Sequence, residues 1–298
     1  MNWRQFVMDL ETLNPDTVED IFARHGACSI TLTDAGDKPV LEPAPGETPL
    51  WPEMRITGLF TPETDLNELR TDLLQSLAID TLPPHETSDL EDRDWEREWL
   101  KDFGPMKFGS RLWICPGDSA IDEQDAVVVR LDPGLAFGTG THPTTALCLE
   151  WLDGLELDST SVLDYGCGSG VLAIAALLLG SDRAIGMDID PQAVTATRDN
   201  AARNHVADQL TVVGDAGDVS GKFDVVVANI LASPLIEHAE SIAAHVKGGC
   251  MLALSGILSE QIDDVLGAYC PWIEFDEPAC REQGGQTWAR VTGRRIEG

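Results

Sequence analysis

The chain has 298 residues, 43% of them hydrophobic, and a formal net charge of −31 at pH 7. That size allows one large or two ordinary globular domains, and neither a signal peptide nor the roughly 18 consecutive apolar residues of a membrane helix is present, so we expect a cytosolic protein without membrane partners. The negative field repels nucleic-acid phosphates, which disfavours DNA and RNA partners, and it either attracts a basic protein or reflects a saline cytoplasm.

Residues 1–90 predict a small α+β domain. The predicted elements are, in chain order, a strand at 3–10, a helix at 16–25, strands at 27–33 and 54–60, a helix at 65–77 and an extended segment at 86–90. This β-α-β-β-α-β order is typical of a ferredoxin-like fold, which hosts many functions and by itself implies none.

Residues 91–110 predict a linker helix and a joint between two domains. The segment begins with EDRDWEREWLKD at residues 91–102, in which Trp95 and Trp99 fall four residues apart on one helix face. Packing of these tryptophans onto a neighbouring element is favoured over a role in stacking on a ligand.

Residues 111–298 predict a doubly wound α/β domain, because short apolar runs alternate with amphipathic helices. The predicted strands lie at 161–165, 184–187, 210–213, 223–228 and 251–255. The predicted helices lie at 146–152, 171–179, 191–204, 234–246 and 259–269. The last two strand-like segments, 272–276 and 287–293, have no helix between them and predict a closing antiparallel hairpin.

A glycine loop ends the first strand of this domain, in the sequence VLDYGCGSG at residues 162–170. Gly166, Gly168 and Gly170 allow a tight turn and a close approach of the backbone to a ligand. Gly168, Gly170 and Ala173 also match the spacing of a dinucleotide loop. The loop alone therefore fits either S-adenosylmethionine or a nicotinamide cofactor.

Carboxylates stand near the ends of successive strands. Asp188 lies 22 positions after Gly166, where it can accept both hydroxyl protons of a cofactor ribose, whereas Asp190 is expected to cap the following helix. Asp164 either orients the glycine loop and the amino group of the cofactor's methionine moiety or caps a turn. Asp215 either meets the adenine amino group or belongs to a plain turn at the strand end.

The fourth predicted strand leads into Asn229, which apolar residues follow. An amine attacks a sulfonium methyl group only when its lone pair faces the carbon, so acceptors such as the Asn229 side chain must hold its N–H bonds. A neutral amide also avoids fixing the amine as an unreactive cation, which leaves deprotonation to water.

The segment DPGLAFGTGTHPTT, at residues 132–145, is either a capped entry to a helix or a glycine-rich lid over a small ligand. A satisfied loop histidine is favoured over a general base for His142. The seven cysteines are odd in number and never spaced as CxxC, so we expect reduced, mostly buried thiols and no metal site. Cys167 is expected to be a packing residue rather than a nucleophile.

Four motifs taken together resemble one family. They are DPGLAFGTGTHPTT, the glycine loop with GMDIDPQAV (186–194), VVVANILASPL (225–235) and SGILSEQ (255–261). In combination they are similar to the bacterial methyltransferases that modify large-subunit ribosomal protein eleven. The first motif is the most specific, because other class I methyltransferases share the glycine loop but not the sequence before it. The resemblance covers the whole chain, the N-terminal third by architecture rather than by motif.

The resemblance implies a class I S-adenosylmethionine-dependent methyltransferase with S-adenosylhomocysteine as product. It implies methylation of the N-terminal α-amine and lysine ε-amines of one basic protein, with the small domain gripping the substrate; we expect a monomer that acts on the protein free of the ribosome. The cofactor-contacting positions that it carries over are Thr145, Gly166, Asp188 and Asn229. To these we add Thr144, Asp164, Gly168, Gly170 and Asp215.

As catalytic residues we expect Asn229, which would align the amine, and Phe137, which would close the site together with the threonine-rich loop. Three alternatives stay open: a methyltransferase acting on RNA, a small molecule or another protein, a nicotinamide-dependent oxidoreductase, and a non-catalytic module with the cofactor fold.

Overall fold

The computed structural model describes residues 3–36, 53–90, 104–117, 119, 121–131 and 142–297. The chain divides into two compact units, Met1–Trp95 and Glu96–Gly298. The predicted linker helix at 91–102 and most of the DPGLAFGTGTHPTT segment, including Phe137, lie outside the described residues. Within the described ranges, no helix combines the length and the apolar character needed to cross a membrane.

The first unit is a four-stranded antiparallel sheet with two helices. Its elements are β1 (Trp3–Asp9), α1 (Pro15–Arg24), β2 (Ser29–Asp34), β3 (Met54–Phe60), α2 (Leu66–Ser76) and β4 (His85–Leu90). The strand order is β2-β3-β1-β4, and every pair is antiparallel. This order and chain direction confirm the predicted ferredoxin-like fold. Its core joins Phe6 of β1 and Phe60 of β3 to Phe22 of α1 and Leu69 of α2.

Polar side chains at the ends of α1 and α2 fix where these helices begin. Asn14 accepts a hydrogen bond from the backbone N–H of Thr17 at 3.2 Å, and Asp65 accepts one from Asn67 at 2.8 Å. Each satisfies an N–H group that has no partner inside its helix. Helix α1 starts at Pro15, one residue before the predicted start, because proline fits the first turn without losing a hydrogen bond.

A small three-stranded sheet in the second unit escaped prediction. It contains β5 (Met106–Phe108), β6 (Leu112–Pro116) and β7 (Val127–Leu131), with β6 antiparallel to β5 and parallel to β7. Strands β5 and β6 lie within two short stretches, FGPMKFG at residues 103–109 and RLWICP at residues 111–116, which carry no regular alternation long enough to indicate a strand.

In the part of the second unit that the structure describes, the central sheet has eight strands. They are β8 (Ser161–Tyr165), β9 (Arg183–Met187), β10 (Leu210–Val213), β11 (Phe223–Asn229), β12 (Val246–Leu258), β13 (Ile273–Phe275), β14 (Ala279–Gln283) and β15 (Gln286–Arg295). The order is β10-β9-β8-β11-β12-β15-β13, and β14 pairs with β15. Strands β8 to β12 run parallel, whereas β15 is antiparallel to β12, β13 and β14. This is the predicted class I methyltransferase sheet.

Helices cover both faces of this sheet. They are α3 (Pro143–Asp153), α4 (Val171–Leu178), α5 (Pro191–Arg203), α6 (Ala232–Glu237), α7 (Ala239–Ala244) and α8 (Ile262–Tyr269). In β11, Val225 and Val227 pack toward α3, α4 and α5, whereas Val226 and Ala228 pack toward α6, α7 and α8. All four side chains are buried, which is why the strand reads as a continuous apolar run.

The helix predicted at 234–246 is wrong in both its start and its continuity. It begins at Ala232 and breaks at His238, which separates α6 from α7. The buried hydroxyl of Tyr269 donates to the carbonyl of Leu235 at 2.9 Å. In a continuous helix that carbonyl would accept from Ala239, so a contact distant in sequence competes with the helical hydrogen bond. The helix predicted at 259–269 likewise starts as a 3-10 turn, Ser259–Gln261.

The closing hairpin also differs from the prediction. Strand β14 lies between the two predicted segments, 272–276 and 287–293, and the hairpin joins β14 to β15 across Gly284 and Gly285. Both glycines have positive φ, +62° and +75°, as a tight hairpin turn requires. The predicted partner, β13, pairs with the opposite end of β15.

The expectation that the cysteines are mostly buried is wrong. All seven are free thiols, but Cys28, Cys270 and Cys280 are exposed and Cys250 is half-buried. Exposure of single small side chains is unremarkable in energetic terms, and the odd number and wide spacing of the cysteines remain the reason that they form no disulfide framework.

Candidate active site

A cavity of about 550 Å³ opens in the second unit at the carboxyl ends of β8, β9 and β11. The chain runs outward from β8 to β10 on one side and returns to β11 on the other, so the cavity lies where the strand order reverses. That crevice is the usual ligand site of open α/β sheets. Six of the predicted site residues line it, namely Thr144, Thr145, Gly166, Gly168, Asp188 and Asn229.

Three other predicted residues do not line the described part of the cavity. Asp215 caps a 3-10 turn by accepting a hydrogen bond from Gly217 at 2.7 Å, which is the turn alternative. Gly170 precedes α4 with a φ of +78°, and Asp164 is fully buried behind the loop. Contact of these residues with a cofactor stays a prediction, as does the role of Phe137, which lies outside the described residues.

The glycine loop has the conformation that its composition predicts. Gly166 and Gly168 have φ values of +78° and +54°, in the left-handed region where only glycine is free of strain. A side chain on Gly166 would also clash with the side chain of Ile230, which lines the cavity. Glycine at this position thus gives room to the strand end that carries Asn229.

Asp188 is held in place by two backbone groups. Its Oδ2 accepts a hydrogen bond from the N–H of Gly168 at 2.8 Å, and its Oδ1 accepts one from the N–H of Asp190 at 3.0 Å. Asp190 in turn caps α5 through Gln192 at 2.8 Å, in agreement with the sequence. A carboxylate has about four lone-pair sites, so Asp188 can still accept two further hydrogen bonds.

Asn229 is tied to the first turn of α3. Its Nδ2 donates to the hydroxyl of Thr145 at 3.2 Å, and no described group donates to its Oδ1. This bond joins the motif at 132–145 to the end of β11, so two residues that are 84 positions apart form one unit. The amide oxygen of Asn229 is the acceptor that is left for a ligand in the cavity.

His142 caps α3 and packs against the hairpin. Its Nδ1 lies 2.7 Å from the hydroxyl of Thr144, and its ring meets that of Trp288 edge-to-face with 4.5 Å between centroids. Burial lowers the pKa of His142, which keeps the ring neutral. These contacts match the satisfied loop histidine that the sequence favours over a general base.

Asp164 is a carboxyl group without access to water. Its Oδ2 accepts a hydrogen bond from the N–H of Ala173 at 3.1 Å, whereas its Oδ1 has no partner in the described structure. Burial raises the pKa of Asp164 to about 7, with the charge of Asp188 adding to the rise and the Ala173 bond opposing it. Burial likewise raises the pKa of the Cys167 thiol, which argues against a nucleophile.

Gly256 and Trp288 are two of the cavity residues that the sequence reasoning missed. Gly256 forms a bulge between Ser255 and Ile257 of β12, with a φ of +89°, and a Cβ there would clash with the backbone of Ile230. A lone glycine within a strand is a recognised sign of a bulge or a close backbone approach and could have revealed it. Nothing in the local sequence marks Trp288, because β15 reaches the cavity only through its pairing with β12.

No group of three or more potential metal ligands occurs among the residues with described positions. The side chains that line the cavity are mostly apolar or neutral, and Asp188 is the only carboxylate among its described lining residues. Its polar groups suit a ligand with hydroxyl or amine donors.

Comparison with known proteins agrees with this site. The family profile described as Ribosomal protein L11 methyltransferase (PrmA) matches residues 2–296. The chain is 50% identical over 297 residues to the Ribosomal protein L11 methyltransferase of Aeromonas hydrophila subsp. hydrophila, covering 99% of this chain and 100% of that protein. The protein of the same name from Salmonella arizonae gives the same identity and coverage.

Among solved structures, a ribosomal protein L11 methylase from Lactobacillus delbrueckii subsp. bulgaricus is similar, with a TM-score of 0.59 and 31% sequence identity. The similarity covers 65% of this chain and 100% of that chain. The nicotinamide-dependent oxidoreductase and the non-catalytic module are therefore set aside. The chain belongs to the ribosomal protein L11 methyltransferase family.

Proposed function

We propose that this chain binds S-adenosylmethionine in the cavity and methylates amines of ribosomal protein L11, namely its N-terminal α-amine and lysine ε-amines. Family membership supports the reaction and the substrate. The proposal for the site depends on Asn229, whose Nδ2 donates to Thr145 while none of the described groups donates to its Oδ1 at the carboxyl end of β11. A fixed neutral acceptor at this point suits an amine that must present its lone pair.

The residues present fit S-adenosylmethionine. The cavity volume falls within the roughly 300–1,000 Å³ that is usual for small-molecule sites. Asp188 has lone pairs left for the two ribose hydroxyls, and the Gly166 and Gly168 backbone offers a cradle without side chains. The Oδ1 of Asp164, for which the described residues supply no hydrogen-bond partner, suits the amino group of the methionine moiety, directly or through water. Bound there, the cofactor would supply an electrophilic methyl group on a sulfonium and leave as S-adenosylhomocysteine.

The chain's own residues would orient the amine and exclude water. The Asn229 Oδ1 accepts an N–H bond, so that the nitrogen lone pair faces the methyl carbon. The amide is neutral and does not stabilise the ammonium form of the substrate, so the substrate amine loses its proton to water. Trp288 and Leu231 line the cavity and displace solvent, and Phe137 with the threonine-rich loop would complete the enclosure. Catalysis on this account is mostly positioning.

The remaining predicted cofactor contacts come from α3, from the glycine loop and from the turn after β10. Thr144 and Thr145 would approach the cofactor from α3, while Gly170 and Asp215 would support it from the loop and from the turn after β10.

The partner is expected to be basic. A net charge of −31 attracts positively charged proteins and raises their association rate, and proteins that bind ribosomal RNA use Lys and Arg to contact phosphates. We propose that the N-terminal domain, residues 1–90, binds L11 before L11 joins the ribosome. We also propose that the protein is a cytoplasmic monomer and does not bind DNA.

Mass spectrometry of recombinant L11 after incubation with this protein and S-adenosylmethionine tests the substrate. We expect mass increments of one methylene per transfer at the N-terminus and at lysines, and none without the cofactor or with L11 whose amines are acetylated beforehand. Unmodified L11 in the presence of a protein that binds S-adenosylhomocysteine would overturn the substrate but not the cofactor. Ribosomal RNA incubated in parallel tests the RNA alternative.

The ribose assignment predicts that Asp188→Asn binds S-adenosylhomocysteine about tenfold more weakly, because a neutral amide cannot accept both hydroxyl protons and also receive the Gly168 and Asp190 N–H groups. Isothermal titration calorimetry measures the change. Asp190→Asn is the matched control: it removes the same charge two residues away, and asparagine caps a helix as well as aspartate does. Equal affinities for the two variants would contradict the assignment.

A further inference from the structure

Helix α5 carries two buried polar side chains on the face that meets the glycine loop. Thr197 is fully buried and Asn200 is nearly so, and residues three apart share a face of a helix. The Thr197 hydroxyl donates to the carbonyl of Gly168 at 2.9 Å. The Asn200 Nδ2 donates to the carbonyl of Ser169, also at 2.9 Å. The two side chains, which we name the α5 clamp, thus hold consecutive carbonyls of the loop.

The clamp acts on the residue that also holds Asp188. Gly168 donates its N–H to Asp188 and accepts from Thr197 through its C=O, so both of its backbone polar groups are engaged by side chains. Glycine has more conformations to lose than any other residue, and without the clamp a loop with glycines at three alternate positions would sample many. A movement of Gly168 would displace the carboxylate that its N–H positions.

The methyl group of Thr197 explains why residue 170 is a glycine, although Gly170 does not line the described part of the cavity. A Cβ built on Gly170 would lie 2.7 Å from Cγ2 of Thr197, so the clamp fills the space that a side chain at 170 would need. Gly170 itself does not line the described part of the cavity. The third glycine of the loop is therefore required by α5 and by its positive φ, which makes the loop and the helix one packed unit.

We infer that Thr197 and Asn200 are positioning residues for cofactor binding: the α5 clamp keeps Gly168, and through it Asp188, in the arrangement that receives the ribose. The inference rests on the proposed function, because it concerns the same cavity. It adds two residues that are absent from the described lining of the cavity and that act through the backbone of the loop.

Three variants of α5 test the role of the hydroxyl group. Thr197→Val keeps the shape but leaves the Gly168 carbonyl without its partner, so KM for S-adenosylmethionine and Kd for S-adenosylhomocysteine should both rise about tenfold, with a much smaller change in kcat. Thr197→Ser keeps the hydroxyl and should restore most of the affinity. Thr195→Val is the control, because that exposed hydroxyl bonds to Pro191 within the helix and should leave Kd unchanged.

A measurement without cofactor separates positioning from general stability. Hydrogen exchange of the apoprotein should be faster in the loop at 166–170 in Thr197→Val than in Thr197→Ser, while exchange in β8 and β11 stays the same. If the valine variant is insoluble, Thr197→Ala compared with Thr197→Ser isolates the same hydroxyl. Asn200→Ala should also weaken binding through Ser169.

Two results would overturn the inference. One is wild-type affinity for S-adenosylhomocysteine in a folded Thr197→Val variant. The other is equal weakening in the serine and valine variants, which would show that keeping the hydroxyl does not preserve the affinity. Failure of the wild-type protein itself to bind S-adenosylhomocysteine would instead overturn the proposed function, so the two failures are distinguishable.

Discussion

Replacing Asn229 with alanine should slow methyl transfer about 100-fold, because loss of a preorganised group at the reacting centre costs roughly that factor. The affinity for S-adenosylhomocysteine should fall much less, since Asp188 and the glycine loop are untouched. The rate is measured in a single turnover with L11 in excess of cofactor, and the affinity by calorimetry. An effect mainly on affinity would assign Asn229 to cofactor binding alone, and an unaltered single-turnover rate would remove it from the mechanism.

Asn229→Asp sharpens this test. The carboxylate can still accept an N–H bond, but its charge stabilises the ammonium form of the substrate. The rate should therefore be low at neutral pH and recover as the pH rises and the amine loses its proton. The rate of the neutral Asn229→Ala variant should rise with pH over a lower pH range, because no carboxylate raises the pKa of the substrate amine. Thr145→Val leaves Asn229 in place without its tie to α3 and should slow transfer less than either, because only the orientation of the amide is lost.

Four of the six predicted residues that line the cavity lie at or just after strand ends, whereas Thr144 and Thr145 lie in the first turn of α3. Parallel strands bring their carboxyl ends to one edge of the sheet, so Gly166 after β8, Asp188 after β9 and Asn229 at the end of β11 had to converge once the strands were placed. The sequence also predicted correctly that Asp190, rather than Asp188, caps α5. Chain order alone carries this information.

The residues that could not be predicted depend on contacts distant in the chain. Trp288 reaches the cavity because β15 inserts between β12 and β13, and Thr197 reaches the loop from the middle of α5. In sequence Thr197 is one of several polar residues of an amphipathic helix, and only the packing of α5 on the loop distinguishes it from Thr195. The break between α6 and α7 has the same origin, since the hydroxyl that competes for its hydrogen bond comes from Tyr269.

Short strands are a second source of error. Strands β5 and β13 have three residues each, and β14 is polar and half-exposed, so none of them shows the alternation that indicates a strand. Their pairing with longer neighbours is what makes them strands. The hairpin was therefore expected in the right region with the wrong partner.

The pH dependence of stability should expose the buried carboxyl group of Asp164. Its pKa is about 7 in the folded protein against 3.8 for a free side chain, so between these values the folded state keeps a proton that the unfolded state has lost. Its contribution to stability is therefore fully present below about pH 4 and is lost as the pH rises through 7. The difference of about three pKa units corresponds to about 4 kcal/mol.

Denaturant unfolding of the wild-type protein and of Asp164→Asn at a series of pH values measures this contribution. The wild type should lose stability relative to the variant as the pH rises from 4 to 8, because asparagine carries no proton to lose, and the exposed cap variant Asp190→Asn should follow the wild type. The neighbouring thiols of Cys148 and Cys167 stay protonated over this range, since burial raises the pKa of each, and Asp188 is the charge that opposes ionisation. A difference between wild type and Asp164→Asn that does not change with pH would show that Asp164 is ionised in the fold.

The same unfolding experiment with bound S-adenosylhomocysteine tests whether the cofactor's amino group lies near Asp164. A positively charged amino group near the unpartnered Oδ1 favours the carboxylate and lowers the pKa of Asp164. The loss of stability between pH 4 and 8 should therefore be smaller when the ligand is bound. A ligand that did not affect Asp164 would raise the stability equally at every pH and leave this loss unchanged. An unchanged pH dependence with saturating ligand would place the amino group away from Asp164 and leave that residue only as the acceptor for the N–H of Ala173.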